Sequence, residues 1–63
     1  MQSYEIRRLR PDGRPVVHAS RYLGDFHAIR RALALKEEGE GVEVWRERQC
    51  IYRELPQAQA IAA

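Results

Sequence analysis

The sequence predicts a single α+β domain with the element order β-β-α-β-β, in which a four-stranded antiparallel sheet carries one helix on one face. The chain has 63 residues, and a chain this short buries only about 60% of the surface that its unfolded form exposes, which leaves room for one thin core. Two segments in which apolar and polar residues alternate lie toward each end of the chain, and a helical segment separates the two pairs. We place the domain at residues 1–55 and expect 56–63 to be a flexible tail.

The first pair of strands is marked by a strong turn signal. Residues 4–9 begin with an aromatic side chain and then alternate. Arg10-Pro11-Asp12-Gly13 follows; proline presets φ early in a turn, and glycine accepts the positive φ at its exit. Residues 15–22 then return antiparallel, so the sequence predicts a hairpin whose turn closes on a glycine bulge.

The helix is predicted over residues 26–38, where Ala, Leu, Arg, Lys and Glu occur without Gly or Pro. Asp25 is expected to be the N-cap and Gly39 the left-handed residue that ends the helix. The apolar stripe that should face the sheet follows the 3.6-residue period and consists of Ala28, Ile29, Ala32 and Leu33.

The closing hairpin is predicted from strands at 42–46 and 50–55, with Glu47-Arg48-Gln49 between them and Pro56 ending the last strand. If the turn has two central residues, alternation separates two sets of side chains. Val42, Val44, Ile51 and Leu55 then face the helix, and Trp45, Cys50 and Tyr52 lie on the opposite face. A turn of three residues would reverse one strand and mix the sets.

The pattern resembles a group of small uncharacterised proteins from GC-rich proteobacteria. Such chains have an aromatic-led first strand, a D-G turn, an Ala/Arg/Leu helix and a closing hairpin of the form V-E-L-W-R-G-D-R-L-V. The matching residues here are Tyr4-Glu-Ile, Asp12-Gly13, Ala28 through Ala34, and Val42-Glu-Val-Trp-Arg. The match fails at Glu47-Arg48, where Gly-Asp is the pattern. The resemblance implies a four-stranded antiparallel sheet with one helix and implies no activity.

Composition narrows the classes of protein that the chain can represent. A single cysteine excludes an intrachain disulfide, and with only His18 and His27 beside it the chain lacks the four ligands of a structural zinc site. No apolar run reaches the roughly 18 residues of a membrane span, and the N-terminus lacks the apolar region of a signal peptide. We therefore expect a cytoplasmic protein without metal, cofactor or membrane contact.

Charge is unevenly distributed although the net charge is only +2. Residues 1–31 contain seven Arg and three acidic residues, a balance of +4, whereas residues 32–63 contain four basic and six acidic residues, a balance of −2. Arginine enrichment suits phosphate recognition and also accompanies a GC-rich genome. The arginines of the first two strands and their turn are best interpreted as solvated charges that protect strand edges: Arg7, Arg8, Arg10, Arg14 and Arg21.

No residue pattern indicates catalysis. Cys50 lies within a strand rather than at a helix N-terminus, so no obvious feature activates its thiol. We expect His18 to be solvated or hydrogen-bonded and His27 to lie on the helix surface. The acidic run Glu37-Glu38-Gly39-Glu40 is typical of a solvated helix end. The sequence therefore predicts a protein that is not an enzyme.

The sheet face opposite the helix is the predicted contact surface. Its candidate residues are Trp45, Tyr52, Tyr22, Arg8 and Arg46. Three interpretations remain open: packing only, contact with another protein or a second copy, and stacking of nucleic-acid bases. We expect a non-catalytic interaction module that uses this face or an edge strand, with a homodimer as one form of it, and weak nucleic-acid binding as the alternative.

Overall fold

The computed structural model describes residues 1–56. In chain order the elements are β1 (Gln2–Leu9), β2 (Pro15–Tyr22), α1 (Asp25–Leu35), β3 (Gly41–Arg46) and β4 (Gln49–Glu54). The β-β-α-β-β order and the α+β class are confirmed. Of the expected tail, Pro56 is half-buried, and 57–63 lie outside the described residues.

The four strands form one antiparallel sheet in the order β2-β1-β3-β4. β1 is paired along its length with β2 and over most of it with β3. Because β2 and β3 are both antiparallel to β1, they run in the same direction, and α1 is the crossover that connects them. The hairpins therefore meet through their first strands, which leaves β2 and β4 as the sheet edges.

The core lies between α1 and the two central strands. It consists of Tyr4, Ile6, Ala28, Ala32, Val42 and Val44. Ile6, Val42 and Val44 are fully buried, and each buried aliphatic side chain stabilises the fold by about 1.5–3 kcal/mol. The two buried helix residues are alanines, so the helix backbone can approach the sheet closely. Leu33 and Leu55 were expected in this core, but both are exposed.

The first turn has the predicted form. The amide of Gly13 donates to the carbonyl of Arg10 over 2.9 Å, and Gly13 has a φ of 90°. Asp12 accepts a further bond from the amide of Arg14 at 3.0 Å. This local chemistry fixes the register of the first hairpin, in which Leu9 faces Pro15.

The ends of α1 differ from the prediction. Gly24 is the N-cap and supplies no side-chain bond, whereas Asp25 is already helical. The Asp25 carboxylate is instead bound by Tyr4 and Arg46 of the sheet. The helix ends at Leu35, and Gly39, with a φ of 83°, belongs to the turn that leads into β3. Eleven residues long, α1 is too short to cross a membrane, as is true of every helix within residues 1–56.

The closing hairpin has a two-residue turn at Glu47 and Arg48, and Arg46 faces Gln49 across it. A β-bulge between Val44 and Trp45 then shifts the register of β4. The bulge places Tyr52 opposite Val44, although Trp45 faces Cys50. The prediction that Tyr52 shares a face with Trp45 is therefore wrong, because the extra residue in β4 reverses the alternation beyond it.

Candidate functional site

The five residues predicted to form one contact surface are divided between the two faces of the sheet. Trp45 lies on the uncovered face. The other four lie on the helix side, because they face or adjoin core positions of the neighbouring strands: Arg8, Tyr22, Arg46 and Tyr52. The predicted surface is therefore wrong as a single surface. The physical reasons are the bulge in β4 and the position of α1, which covers the even-numbered side chains of β1.

Trp45 on the uncovered face is covered by an arginine from the neighbouring strand. The guanidinium carbon of Arg7 lies 4.7 Å from the centre of the indole ring, which is a cation–π contact. The indole Nε1 donates to Oε1 of Glu43 over 2.9 Å. Arg7 thus covers one face of the indole ring, and Glu43 accepts the hydrogen bond from its N–H.

A ladder of opposite charges surrounds this tryptophan. Arg7 binds Glu5 through Nε at 3.1 Å and Nη2 at 2.8 Å, and its Nη1 lies 3.9 Å from Glu43. Glu43 also forms an ion pair with Arg53, whose Nε lies 3.0 Å from Oε2. The charges around Trp45 are therefore paired within the chain, and a nucleic-acid base could stack on the ring face that Arg7 covers only by displacing Arg7.

A second network joins the helix N-terminus to the sheet. Oη of Tyr4 donates to Asp25 over 2.6 Å, and Nη1 of Arg46 donates to both carboxylate oxygens at 2.8 and 2.7 Å. The bond from Tyr4, followed by the charge of Arg46, lowers the pKa of Asp25. The same carboxylate raises the pKa of Tyr4, with burial adding to the effect. Arg46 is therefore engaged in holding the helix onto the sheet.

Arg8 closes the opposite end of the domain. Glu40 has only 4% of its surface exposed, and it accepts from Nε of Arg8 at 3.0 Å and from Nη2 at 3.3 Å. The amide of Glu37 donates to the same carboxylate over 2.9 Å. This backbone bond, with Arg8 next, lowers the pKa of Glu40. The arginine thus fixes the turn between α1 and β3, and Glu40, predicted to be solvated, is buried.

Tyr52 belongs to a third network at the edge of the helix side. Its hydroxyl donates to Glu54 over 3.2 Å, and Glu54 also pairs with Lys36 at the end of α1. Burial, and then the bond to Glu54, raises the pKa of Tyr52. Lys36 lowers the pKa of Glu54. Tyr52 is therefore part of the helix–sheet contact.

The remaining reactive side chains are dispersed. Cys50 is half-buried, and its Sγ lies 3.4 Å from the carbonyl oxygen of Tyr52. His27 lies on the exposed helix surface against the ring of Phe26. Nε2 of the half-buried His18 has no hydrogen-bond partner within residues 1–56. Within residues 1–56, no three His, Cys, Asp or Glu side chains are arranged to hold a metal ion.

The two edges of the sheet differ in their capacity to bind another strand. β2 has eight residues in unbroken register with β1, and Arg21 is its one charged residue. β4 has six residues, contains the bulge and carries Arg53 and Glu54. Two shallow depressions lie along the closing hairpin. The first is lined by Arg46, Glu47, Arg48 and Gln49. The second is lined by Cys50, Ile51, Tyr52 and Arg53.

An apolar stripe on α1 extends beyond the core. Phe26, Ile29 and Leu33 are spaced by three and four residues and so share one side of the helix. Lys36 continues the spacing and pairs with Glu54 of β4, which places the stripe toward that edge of the sheet. Phe26 is 66% exposed and Leu33 42%, while Arg30 lies 5.7 Å from the Phe26 ring.

Some of these features could be anticipated from the sequence. The i, i+2 spacing of Glu5 with Arg7, and of Glu43 with Trp45, places each pair on one face of a strand. The burial of Glu40 had no local signal, because its partner Arg8 lies 32 positions away.

Comparison with known proteins assigns no family to this arrangement: no protein-family model matches the chain, and neither the curated proteins nor the solved structures include a match.

Proposed function

We propose that this protein is a small non-catalytic interaction module that binds another polypeptide through the free edge of β2. The observation that supports this proposal is the edge itself. β2 presents eight residues without a bulge, and Val17, Ala19 and Ser20 are exposed along it. Natural proteins usually blunt such edges with charges, bulges or covering segments. β2 carries Pro15 and Arg21 near its ends, but its central residues have no charge and no bulge and so suit β-strand addition, in which main-chain bonds supply affinity.

The uncovered sheet face is the weaker surface for the same function. Its central tryptophan already contacts Arg7 and Glu43, and Glu43 is also bound by Arg53. A partner would have to replace these contacts in order to gain its own. The outer edge of β2 offers backbone groups that pair with no other strand within residues 1–56.

The resemblance noted in the sequence supports two further proposals. We infer that the chain belongs with the small uncharacterised ββαββ proteins of GC-rich proteobacteria, because its element order and its short motifs agree with theirs. We also infer that it acts in the cytoplasm, where a free thiol such as Cys50 stays reduced.

Site-specific photocrosslinking in the producing cells tests the interaction function. A photoreactive phenylalanine analogue at Ala19, on the β2 edge, should yield covalent adducts. The same analogue at Arg31, exposed on the helix, is the matched control and should yield few. The absence of adducts from Ala19, with the protein folded and expressed, would overturn the proposal.

Nucleic-acid binding is the second candidate, and it is favoured by one observation. Several arginines are exposed on the loops, on β2 and on the outer side of α1: Arg10, Arg14, Arg21, Arg30, Arg31 and Arg48. Phosphate contacts of this kind weaken with salt. Fluorescence anisotropy of labelled mixed oligonucleotides at low salt should rise on addition of the protein and fall again with salt, and an unchanged anisotropy would reject the idea.

A further inference from the structure

The backbone groups that β2 offers to a partner can be identified from its pairing with β1. Leu9 faces Pro15, which has no amide hydrogen and cannot bond back to Leu9. Directly bonded pairs alternate with unbonded ones along an antiparallel ladder. The bonded pairs with β1 therefore fall at Val16, His18, Ser20 and Tyr22. The amides that point away from the sheet are those of the alternate residues, Val17, Ala19 and Arg21.

We propose that the partner at this edge is a second copy of the chain, which pairs its own β2 antiparallel across a twofold axis perpendicular to the sheet. The inference rests on the proposed edge-strand function and names the partner. The two sheets would join into one of eight strands, with both helices on the same side. Outward amides of one copy would donate to outward carbonyls of the other over a strand length of about 27 Å.

The side chains of β2 permit this self-pairing. Facing residues must lie on the same side of the joined sheet, so the axis can pass through His18 or through Ala19. In the first register Arg21 faces Pro15, and in the second it faces Val17. Neither register places two arginines opposite each other, which would be unfavourable. β2 has a single charge near its end and can therefore pair with β2 of a second copy without bringing like charges together.

The other edge explains why the assembly should stop at two copies. β4 is shorter, it is distorted by the bulge at Val44 and Trp45, and it carries Arg53 and Glu54. These features hinder strand pairing. With one open edge and one blocked edge per copy, pairing through β2 uses the open edges of both copies. The interface is isologous, and the result is a closed dimer rather than a fibre.

Light scattering and amide NMR over a dilution series test the proposal on the full chain. We expect the apparent mass to approach twice the monomer value at high micromolar concentration. The concentration-dependent shifts and the slowed hydrogen exchange should centre on Val17, Ala19 and Arg21. A chain that stays monomeric at every concentration overturns the proposal.

A backbone modification makes the test specific. A chain of 63 residues can be made by chemical synthesis with an N-methyl group on the Ala19 amide, which removes the outward donor and leaves the bonds to β1 intact. This chain should remain folded and become monomeric, as should Ala19→Pro. Ala19→Ser retains the amide and is the matched control, which should dimerise like the parent. If N-methylation unfolds the chain, the amide hydrogen-exchange pattern of the unmodified protein still decides whether β2 forms the interface.

Other results of these experiments would identify a different interface or a different binding partner for the β2 edge. A dimer that survives N-methylation and shows shifts at Cys50–Arg53 or at Phe26 and Leu33 overturns the proposal in favour of the β4 side. Shifts on β2 that disappear when residues 57–63 are deleted indicate that the chain's own terminus binds there. A monomer that still gives adducts at Ala19 with a different protein overturns the dimer alone and leaves the edge-strand function in place.

Discussion

The guanidinium of Arg8 on β1 holds the buried carboxylate of Glu40, with Nε 3.0 Å from Oε1 and Nη2 3.3 Å from Oε2. Arg8 is 15% exposed and Glu40 4%. Removing one member of a buried pair leaves an uncompensated charge, which destabilises far more than the loss of a surface pair. The contact therefore ties the turn before β3 to the centre of the sheet.

Glu40→Gln should lower the urea midpoint of unfolding strongly, because it leaves the Arg8 charge with only the exposed carboxylate of Glu37, 3.9 Å away, as a counter-ion. Glu5→Gln is the matched control, since Glu5 pairs with Arg7 on the uncovered face and is 39% exposed there; its effect should be small. Equal effects of the two substitutions would contradict the assignment. The double variant Arg8→Met/Glu40→Gln should be less destabilised than the sum of its single changes.

Stability should fall at both ends of the pH range. The pKa values of Asp25, Glu40 and Glu54 are lowered by their hydrogen-bond donors. Their stabilisation is therefore complete above the unfolded pKa of about 4 and is lost as the pH falls through the folded values. The pKa values of Tyr4 and Tyr52 are raised above 10.0. Their contribution is complete below that pH and is lost as the pH rises through the folded values.

Urea unfolding at a series of pH values measures this profile. Asp25→Asn should flatten the acid limb, because the titrating carboxylate is gone, and Tyr4→Phe should flatten the alkaline limb. Asp12→Asn, in the exposed first turn, is the control for the acid limb. An acid limb that is unchanged by Asp25→Asn would exclude this carboxylate as a cause.

Gly41 should tolerate no side chain. A Cβ atom there would lie 2.2 Å from the carbonyl oxygen of Glu54 and 2.6 Å from the nitrogen of Pro56, both of which are backbone atoms. Gly41→Ala should therefore destabilise the fold by about 1–3 kcal/mol. Gly24→Ser is the control, because Gly24 has open space around it and serine is a good N-cap; it should change stability by about 0.5 kcal/mol or less. Calorimetry of both variants makes the comparison.

Glu47→Gly should stabilise the protein. Glu47 has a φ of 58° and is the one non-glycine residue with a positive φ within residues 1–56. A left-handed conformation costs a residue with a Cβ atom about 1–2 kcal/mol, and glycine avoids most of that cost. Part of the gain is lost to the greater freedom of glycine in the unfolded chain. A higher melting temperature is expected, whereas Arg48→Gly should lower it.

His18→Phe should leave stability unchanged or raise it by about 1 kcal/mol, since it removes a buried nitrogen that has no hydrogen-bond partner within residues 1–56. Phenylalanine keeps a flat ring at this half-buried position and fills somewhat more volume than histidine. His27→Phe on the exposed helix surface is the comparison and should change the free energy of unfolding by about 0.5 kcal/mol or less. A marked loss of stability in His18→Phe would contradict this prediction.

The sequence by itself determined the elements of this protein. Alternation marked the four strands, the Pro-Asp-Gly turn fixed the first hairpin, and helix-forming residues marked α1, because each of these signals lies within a few neighbouring residues. It also predicted correctly that Trp45 and Val44 point to opposite faces, since adjacent strand residues always do.

The tertiary structure alone decided which residues form the surfaces. The bulge in β4 places Tyr52 on the helix side of the sheet. Asp25, which was expected to cap the helix, is instead bound by Tyr4 and Arg46. Glu40 became a buried partner of Arg8, and β2 rather than the uncovered face became the candidate contact edge. These outcomes depend on contacts between residues that are far apart in the chain. Such contacts form only when the strand order brings those residues together.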